Sequence, residues 1–588
     1  RQALEWDPNP DTRAATQALI DGGDADALRA VFGSRLQFGT AGLRGPMGAG
    51  TNRMNELTVL QAAQGLAAYL EAQFGDDGKA RGVVIGYDHR ALGSLNSERF
   101  AAVSAVAFML RGFNVHLYDG IVATPLVPWG VDSLHAVAGI MVTASHNPKA
   151  DNGYKVYWAN GCQIISPQDK GIAAAILDNL EPWDKAAYEA ATPATVRAAD
   201  LCHDPAALKA AYIGKLGTLC RHKAANASNV PVCYTAMHGV GTSFVTAAFD
   251  AFGLPPFVPT PEQVEPDPEF PTVPFPNPEE GKGALALAMA AADRAGTSII
   301  LANDPDADRL AVAEKSAGGE WQVFTGNEIA ALLAHWEWTT WREANPGVDA
   351  SQVYMVASTV SSKMLGAMAA KEGFNFVETL TGFKWMGNRT ADLRADGKTV
   401  LFSFEEAIGF CVGDIVKDKD GVVAACCFAE MAGSLARRGV TLAQHLDTLY
   451  RTYGYFVTNN RYLFVDDPAK NAVICDRLRN DGHYWLMLRK WRITAVRDLT
   501  SPGFDSEASD GKPTLATSSS SQMITFKFAN GCVATLRTSG TEPKLKYYTE
   551  LVGADMEATR VELAEMVDAI IEDMLEPEKN GLRRPAAE

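Results

Sequence analysis

The sequence has no apolar run of membrane-spanning length, no Cys-x-x-Cys pair and no excess of positive charge. Each absence removes a class of function. Without a long apolar segment there is no candidate transmembrane helix, and the opening Arg1-Gln2-Ala3-Leu4-Glu5 does not read as a secretory signal. The nine cysteines are scattered without metal-ligand spacing. A disulfide framework is therefore not expected, and a reduced, cytoplasmic setting is the simpler expectation. In that setting the sequons at Asn226-Ala227-Ser228 and Asn388-Arg389-Thr390 read as coincidental. A net charge of −17 argues against a nucleic-acid surface. Neither nucleic acid nor membrane is expected as a partner.

What is present is an ordinary globular composition, 47% hydrophobic and 21% charged. A chain of 588 residues is too long for one hydrophobic core, so several domains are expected. Three similar units can be read in succession. The first has a helical stripe at 57–74, a strand at 83–87, a helix at 97–111, a strand at 114–118 and a strand ending at Ser145. The second has a strand at 231–235, helices near 244–252 and 283–294, and a strand ending at Asp304. The third has a strand at 353–357, helices at 361–371 and 384–393, and a strand at 399–404 that leads into Glu405-Glu406-Ala407-Ile408-Gly409. Alternating strands and helices indicate α/β layers, whose ligands bind beyond the carboxyl ends of strands. The proline-dense stretch 255–278 reads as an ordered excursion, and Cys426-Cys427 lie in an apolar helical run. The last quarter differs: strands at 461–465 and 491–496, a hairpin of 523–528 with 532–537 about Asn530-Gly531, and a helix at 556–574. This reads as a small α+β domain. Boundaries are placed at 1–225, 226–335, 336–455 and 456–588.

The chemistry lies at the strand ends. Thr143-Ala144-Ser145-His146-Asn147-Pro148 follows the apolar run 136–142 and leads into Asn152-Gly153-Tyr154-Lys155. A serine there offers a hydroxyl that needs a base or a metal to become a nucleophile. Asp304-Pro305-Asp306-Ala307-Asp308-Arg309 follows the apolar run 298–302. Alternating carboxylates on a turn converge on a hard cation, and a cation beside a serine suggests phosphoryl transfer. In a haloacid-dehalogenase phosphatase Asp304 itself would be the nucleophile, a role that Ser145 supplies here. Gly382-Phe383-Lys384-Trp385 and the 405–409 segment suit sugar recognition as a pair, since carboxylates accept from vicinal hydroxyls. Arg537-Thr538-Ser539-Gly540-Thr541-Glu542-Pro543-Lys544 surrounds a glycine with donors, as a phosphate cradle requires.

Taken in order, these motifs resemble the α-D-phosphohexomutase superfamily along nearly the whole chain. Gly39-Thr40-Ala41-Gly42-Leu43-Arg44-Gly45 is similar to its N-terminal active-site loop, with Arg44 as the active-site arginine. The resemblance implies an α/β protein of three Rossmann-like domains plus a C-terminal α+β domain around a central cleft. It further implies a phosphoserine at Ser145, Mg²⁺ held by Ser145, Asp304, Asp306 and Asp308, and proton transfer by one of His146, Lys155 and Lys419. Substrate contacts would come from Arg309, Gly382, Lys384, Glu405, Ala407, Arg537, Ser539, Gly540, Thr541 and Lys544. The hexose enzymes carry serine where Ala407 stands, and the phrases Phe404–Gly409 and Asp151–Tyr157 are similar to the eukaryotic phosphopentomutase branch. The expected reaction interconverts ribose or deoxyribose 1-phosphate and 5-phosphate through a bisphosphate, with side activity on glucose phosphates. A sugar bisphosphate (glucose 1,6-bisphosphate or ribose 1,5-bisphosphate) would be the activator, and the protein is expected to be a monomer whose partners are small sugar phosphates. The alternatives are a glucose-1,6-bisphosphate synthase drawing on 1,3-bisphosphoglycerate, or a catalytically inactive paralogue.

Overall fold

Val83–Tyr87 is buried along its whole length, because it lies between two parallel neighbours, Ala138–Val142 and Val115–Leu117. A strand covered on both faces needs apolar residues at every position rather than alternation. The structure is a computed structural model and describes residues 2–39, 42–467, 469–519, 521–538 and 544–584. It divides into two compact units, one of Arg1–Ala357 with Gly382–Ala443, the other of Ser358–Thr381 with Gln444–Glu588.

In the first unit, helices Glu56–Arg81 and Ser97–Leu110 supply Leu60, Leu66, Phe100, Val103 and Phe108 to the core of the first sheet. Asn55 starts the longer helix with a reciprocal cap, its side chain accepting from Thr58 N while the Thr58 hydroxyl accepts from Asn55 N. Two antiparallel strands extend this sheet. Asp151–Trp158 pairs with Ala138–Val142, and Leu43–Pro46 pairs with Asp151–Trp158. A second sheet sets Cys233–Thr235 parallel to Ile299–Ala302, with Ala311–Lys315 and Trp321–Val323 following antiparallel. A third joins Val353–Ser358 in parallel to Thr399–Glu405, which turns into the antiparallel Gly409–Val412.

The expected α/β layers are therefore present, with each sheet mixed rather than wholly parallel. Two expectations are corrected: the strand before Ser145 ends at Val142, and the strand before Asp304 ends at Ala302. Residues 143–148 form a loop, and Ser145 turns left-handed at φ 53°. The run 255–278 is ordered, with a short strand at Val258–Pro259 and a 3₁₀ turn at Pro261–Gln263. Cys426 and Cys427 are buried in the helix Gly421–Arg437, and all nine cysteines are free thiols.

In the second unit, Met523–Phe528 and Val533–Thr538 form the expected hairpin inside an antiparallel sheet with Trp491–Asp498, Lys544–Gly553 and Tyr455–Val465. Helices Ala469–Arg479 and Met556–Ala569 pack on it through Ile474, Leu478, Leu563 and Met566. The second helix runs on as a π-helical turn, Ile570–Leu575. Among the described residues no helix is long and apolar enough to cross a membrane.

Candidate active site

Ser145 sits where the first sheet meets the loop of the second. Its hydroxyl donates to Asp304 Oδ2 at 2.7 Å and lies 3.2 Å from His146 Nδ1, while its N–H donates to Thr143 Oγ1 at 2.9 Å. The left-handed backbone at Ser145 costs energy for a residue with a Cβ, so something must hold it. That holder is Arg90, fully buried, which donates from Nη2 to Ser145 O (2.6 Å) and Asn147 O (2.7 Å). From Nη1 it donates to Pro148 O (2.9 Å) and Asp151 O (3.2 Å).

Asp304, Asp306 and Asp308 are fully buried, and one oxygen from each lies within 4.8 Å of the others. Ala307 between them is left-handed at φ 58°, which lets alternate side chains converge. Arg309 N donates to Asp304 Oδ1, Thr124 Oγ1 to Asp306 Oδ2, and Lys155 Nζ bridges Asp306 Oδ2 (2.7 Å) and Asp308 Oδ2 (2.8 Å). The second oxygens, Asp306 Oδ1 and Asp308 Oδ1, are buried and accept no hydrogen bond among the described residues. Buried carboxylate oxygens without a donor are costly. A set of clustered hard oxygens with spare lone pairs suits a divalent cation.

Charge is balanced tightly here. Burial and the neighbouring Asp306 and Asp308 push Asp304 well above the usual carboxylate range. Burial acts on Asp308 in the same sense, but Lys155, Lys419 and Arg309 outweigh it and hold Asp308 low. Burial likewise opposes the charge on Lys155 and Lys419, and the surrounding carboxylates overcome it, so both ammonium groups are held more firmly charged than usual. Burial, then Arg309 and Arg44, press the His146 imidazole towards its neutral form. An acidic chain thus gathers cations locally, as binding of an anionic substrate demands.

Most of the residues expected from the sequence meet in this unit. Arg44 Nη1 donates to Asn147 Oδ1 at 3.1 Å, because Leu43–Pro46 is paired with the strand that leaves the serine loop. Lys419 Nζ lies 3.3 Å from Asp308, 3.2 Å from Asp418 and 5.2 Å from the Phe383 ring. Arg309 Nη1 donates to Ala407 O at 3.0 Å, and Leu310 N to Ile408 O, so the aspartate loop is tied to the 405–409 turn. Burial raises the Glu405 carboxyl, with Lys419 and Arg309 pulling it back. Gly382, at φ 101°, opens the helix Phe383–Ala395, which carries Lys384 in its first turn. In the second unit Arg537 and Lys544 stand on adjacent antiparallel strands, with Lys544 Nζ 4.4 Å from the Tyr462 ring. Ser539, Gly540 and Thr541 lie outside the described residues. Three participants went unread in the sequence: Arg90, Thr124 and Asp418. Arg90 follows the strand Val83–Tyr87, the same position beyond a strand end as the recognised motifs, which is the signal that could have found it.

The chain matches "Phosphoglucomutase/phosphomannomutase, alpha/beta/alpha domain I" over residues 35–182, domain II over 210–319 and domain III over 325–453. It is 52% identical to a phosphopentomutase of Mus musculus, over 100% of this chain and 96% of that protein. It is 45% identical to a glucose 1,6-bisphosphate synthase of Homo sapiens, over 99% of this chain and 94% of that protein. Its fold matches the open form of the Paramecium phosphoprotein pp63/parafusin, a phosphoglucomutase, with a TM-score of 0.67 at 17% identity, covering 94% of this chain and 97% of that one. The chain belongs to the phosphoglucomutase/phosphomannomutase family, the α-D-phosphohexomutase superfamily, and within it to the eukaryotic phosphopentomutase branch.

Proposed function

We propose that this chain is a phosphosugar mutase interconverting ribose or deoxyribose 1-phosphate and 5-phosphate through a phosphoserine at Ser145. The observation that carries the reading is the Ser145 hydroxyl donating to Asp304 Oδ2 beside Asp306 and Asp308 oxygens that accept no hydrogen bond among the described residues. The names of the phosphopentomutase relatives support the pentose. On this reading the chain has four domains, 1–225, 226–335, 336–455 and 456–588.

With a phosphoryl group on Ser145 Oγ, a sugar hydroxyl oxygen attacks phosphorus. The new O–P bond forms as the Oγ–P bond breaks, and Oγ keeps the electron pair while the hydroxyl proton passes to a base. The bisphosphate reorients, and Ser145 takes back the other phosphoryl group by the reverse step. One of His146, Lys155 and Lys419 serves this proton; the two lysines are held charged, and the His146 imidazole, pressed towards its neutral form and 3.2 Å from Oγ, is the one able to accept it. Arg44, Lys155 and Arg309 hold negative charge near the reacting phosphorus, and Glu405, with the 405–409 turn about Ala407, orients sugar hydroxyls. Gly382 and Lys384 bind beside them, and the loop of Arg537, Ser539, Gly540, Thr541 and Lys544 binds a substrate phosphate. Asp304, Asp306 and Asp308, with Ser145, would hold Mg²⁺, which supplies charge neutralisation to the transferring phosphoryl group. A sugar bisphosphate, glucose 1,6-bisphosphate or ribose 1,5-bisphosphate, would prime the serine.

The test is turnover of ribose 1-phosphate with a catalytic amount of bisphosphate, together with the intact mass before and after phosphatase. One phosphate on Ser145 and interconversion of the two pentose phosphates are expected; the absence of both would refute the reading. A second reading, bisphosphate synthesis, is favoured by the 45% identical relatives of that name. Net bisphosphate formed from 1,3-bisphosphoglycerate and glucose 1-phosphate, faster than pentose interconversion, would put it first. The intact Ser145–Asp304 contact counts against an inactive paralogue.

A further inference from the structure

The proline-dense excursion has no part in the chemistry above, yet its Phe270 is 2% exposed and lies against Arg90, which holds four carbonyls of the serine loop and the strand that leaves it. The Arg90 guanidinium carbon is 5.2 Å from the Phe270 ring centre, and the His89 ring packs tilted on the same ring at 5.3 Å. Next to it, Glu269 accepts from Lys149 Nζ at 2.8 Å, so the excursion grips the serine loop at a second point. Its other side is tied to the second sheet. Asp267 N donates to His238 O, His238 N donates to Gln263 O, and Gln263 Oε1 accepts from Thr235 Oγ1 at 2.6 Å. Thr235 ends the strand Cys233–Thr235, whose parallel neighbour Ile299–Ala302 runs into Asp304. One segment therefore touches both the loop that carries the hydroxyl and the sheet that carries the carboxylate.

Arg90 converts that grip into aim. Its four short hydrogen bonds all go to backbone carbonyls of Ser145, Asn147, Pro148 and Asp151. A planar fork of donors fixes the relative positions of those carbonyls as a single ammonium cannot. Asp88 completes the brace: it accepts from Arg90 N and from Ser97 Oγ, and Ser97 Oγ accepts from Asn152 Nδ2 at 3.0 Å, in the strand Asp151–Trp158 that leaves the loop.

We propose that Arg90, clamped face-on by Phe270, is the positioning residue that holds Ser145 Oγ against Asp304, and that the 255–278 excursion is the clamp. The inference deepens the mutase reading and rests on it for its kinetic consequence. Arg90 spends its hydrogen bonds on backbone, so its loss leaves the groups that bind sugar phosphate in place. A hydroxyl displaced by about 1 Å loses on the order of a hundredfold in rate, which appears in kcat and not in KM.

The experiment compares Arg90→Met, Arg90→Lys and Phe270→Leu with wild type. Hydrogen exchange of the amides in 143–153 is read first, without substrate, followed by kcat, KM and the rate of Ser145 phosphorylation from the bisphosphate. Expected are faster exchange confined to 143–153 in all three variants, and kcat about a hundredfold lower in Arg90→Met with KM changed less than about threefold. Partial recovery is expected in Arg90→Lys. Phe270→Leu leaves every polar contact intact and carries the test if Arg90→Met does not fold. Unchanged exchange in 143–153 in Phe270→Leu, or a kcat in Arg90→Met within about threefold of wild type, overturns the proposal. A wild-type protein that never carries phosphate on Ser145 overturns the mutase reading instead and leaves the exchange result standing.

Discussion

Ser145 Oγ donates to Asp304 Oδ2 at 2.7 Å, joining two loops that lie 159 residues apart in the chain. The hydroxyl has one buried carboxylate as acceptor and one imidazole beside it. Ser145→Ala is expected to abolish turnover and to remove the phosphate from the protein. Asp304 keeps the bond from Arg309 N, so the loss of stability should be on the order of 1–2 kcal/mol. Intact mass and a melting curve check both parts; residual turnover with phosphate still attached would mean another residue carries it.

Lys155 Nζ is the cation between Asp306 and Asp308. Removing one partner of a buried charge cluster leaves charge uncompensated, at a cost of about 3–5 kcal/mol, and here the loss falls chiefly on Asp306, since Asp308 keeps Lys419 at 3.3 Å. Lys155→Met should therefore lower the melting temperature strongly in chelator, and added Mg²⁺ should restore part of it. Equal melting temperatures with and without Mg²⁺ would count against a cation site at these aspartates. Asp306→Asn withdraws charge from the same place and should cost orders of magnitude in kcat.

Much of this site was legible because its side chains follow strands buried on both faces, where apolar runs such as Val83–Tyr87 stand out. The error at Ser145 has a different cause. Thr143 and Ala144 are as buried as the strand before them, but the chain leaves the sheet at Val142 because Arg90, 55 residues earlier, takes the loop's carbonyls. No local pattern encodes that. Asp151–Trp158 carries no apolar signature at its start, since Asn152 is buried by bonding Ser97, and Lys155 by bonding two aspartates. Long-range polar satisfaction looks, in sequence, like a loop.

Glu337, fully buried on the helix Gly326–Ala344, pairs with Arg221 at 3.2 Å. Burial pushes its carboxyl up to about 7 despite that partner. The folded state then binds a proton that the unfolded chain releases near pH 4.5, so stability is fully present below that pH and lost as pH rises through about 7. Glu337→Gln removes the titration. Its stability relative to wild type should improve by roughly 3 kcal/mol between pH 4.5 and 8, read from urea melts at stepped pH. A difference that does not change with pH would rule out Glu337 as the titrating group.

Substrate choice turns on Ala407. Its carbonyl accepts from Arg309 Nη1, which fixes the backbone of the 405–409 turn against the aspartate loop. A serine placed there would present its hydroxyl from a fixed position, and the alanine withholds that donor. A site built to hydrogen-bond a hydroxyl discriminates strongly, because its buried polar groups go unpaired with the wrong substrate. With alanine no such group waits for the additional hydroxyl of a hexose. Wild type is expected to favour ribose 1-phosphate or deoxyribose 1-phosphate over glucose 1-phosphate in kcat/KM. Ala407→Ser should move that ratio towards glucose 1-phosphate by roughly tenfold at most, the scale of one hydrogen bond of about 0.5–1.5 kcal/mol. The measurement is kcat/KM for pentose and hexose 1-phosphates in both proteins at one fixed bisphosphate concentration. A wild-type preference for glucose 1-phosphate would refute the pentose assignment while leaving the mutase chemistry of Ser145 intact.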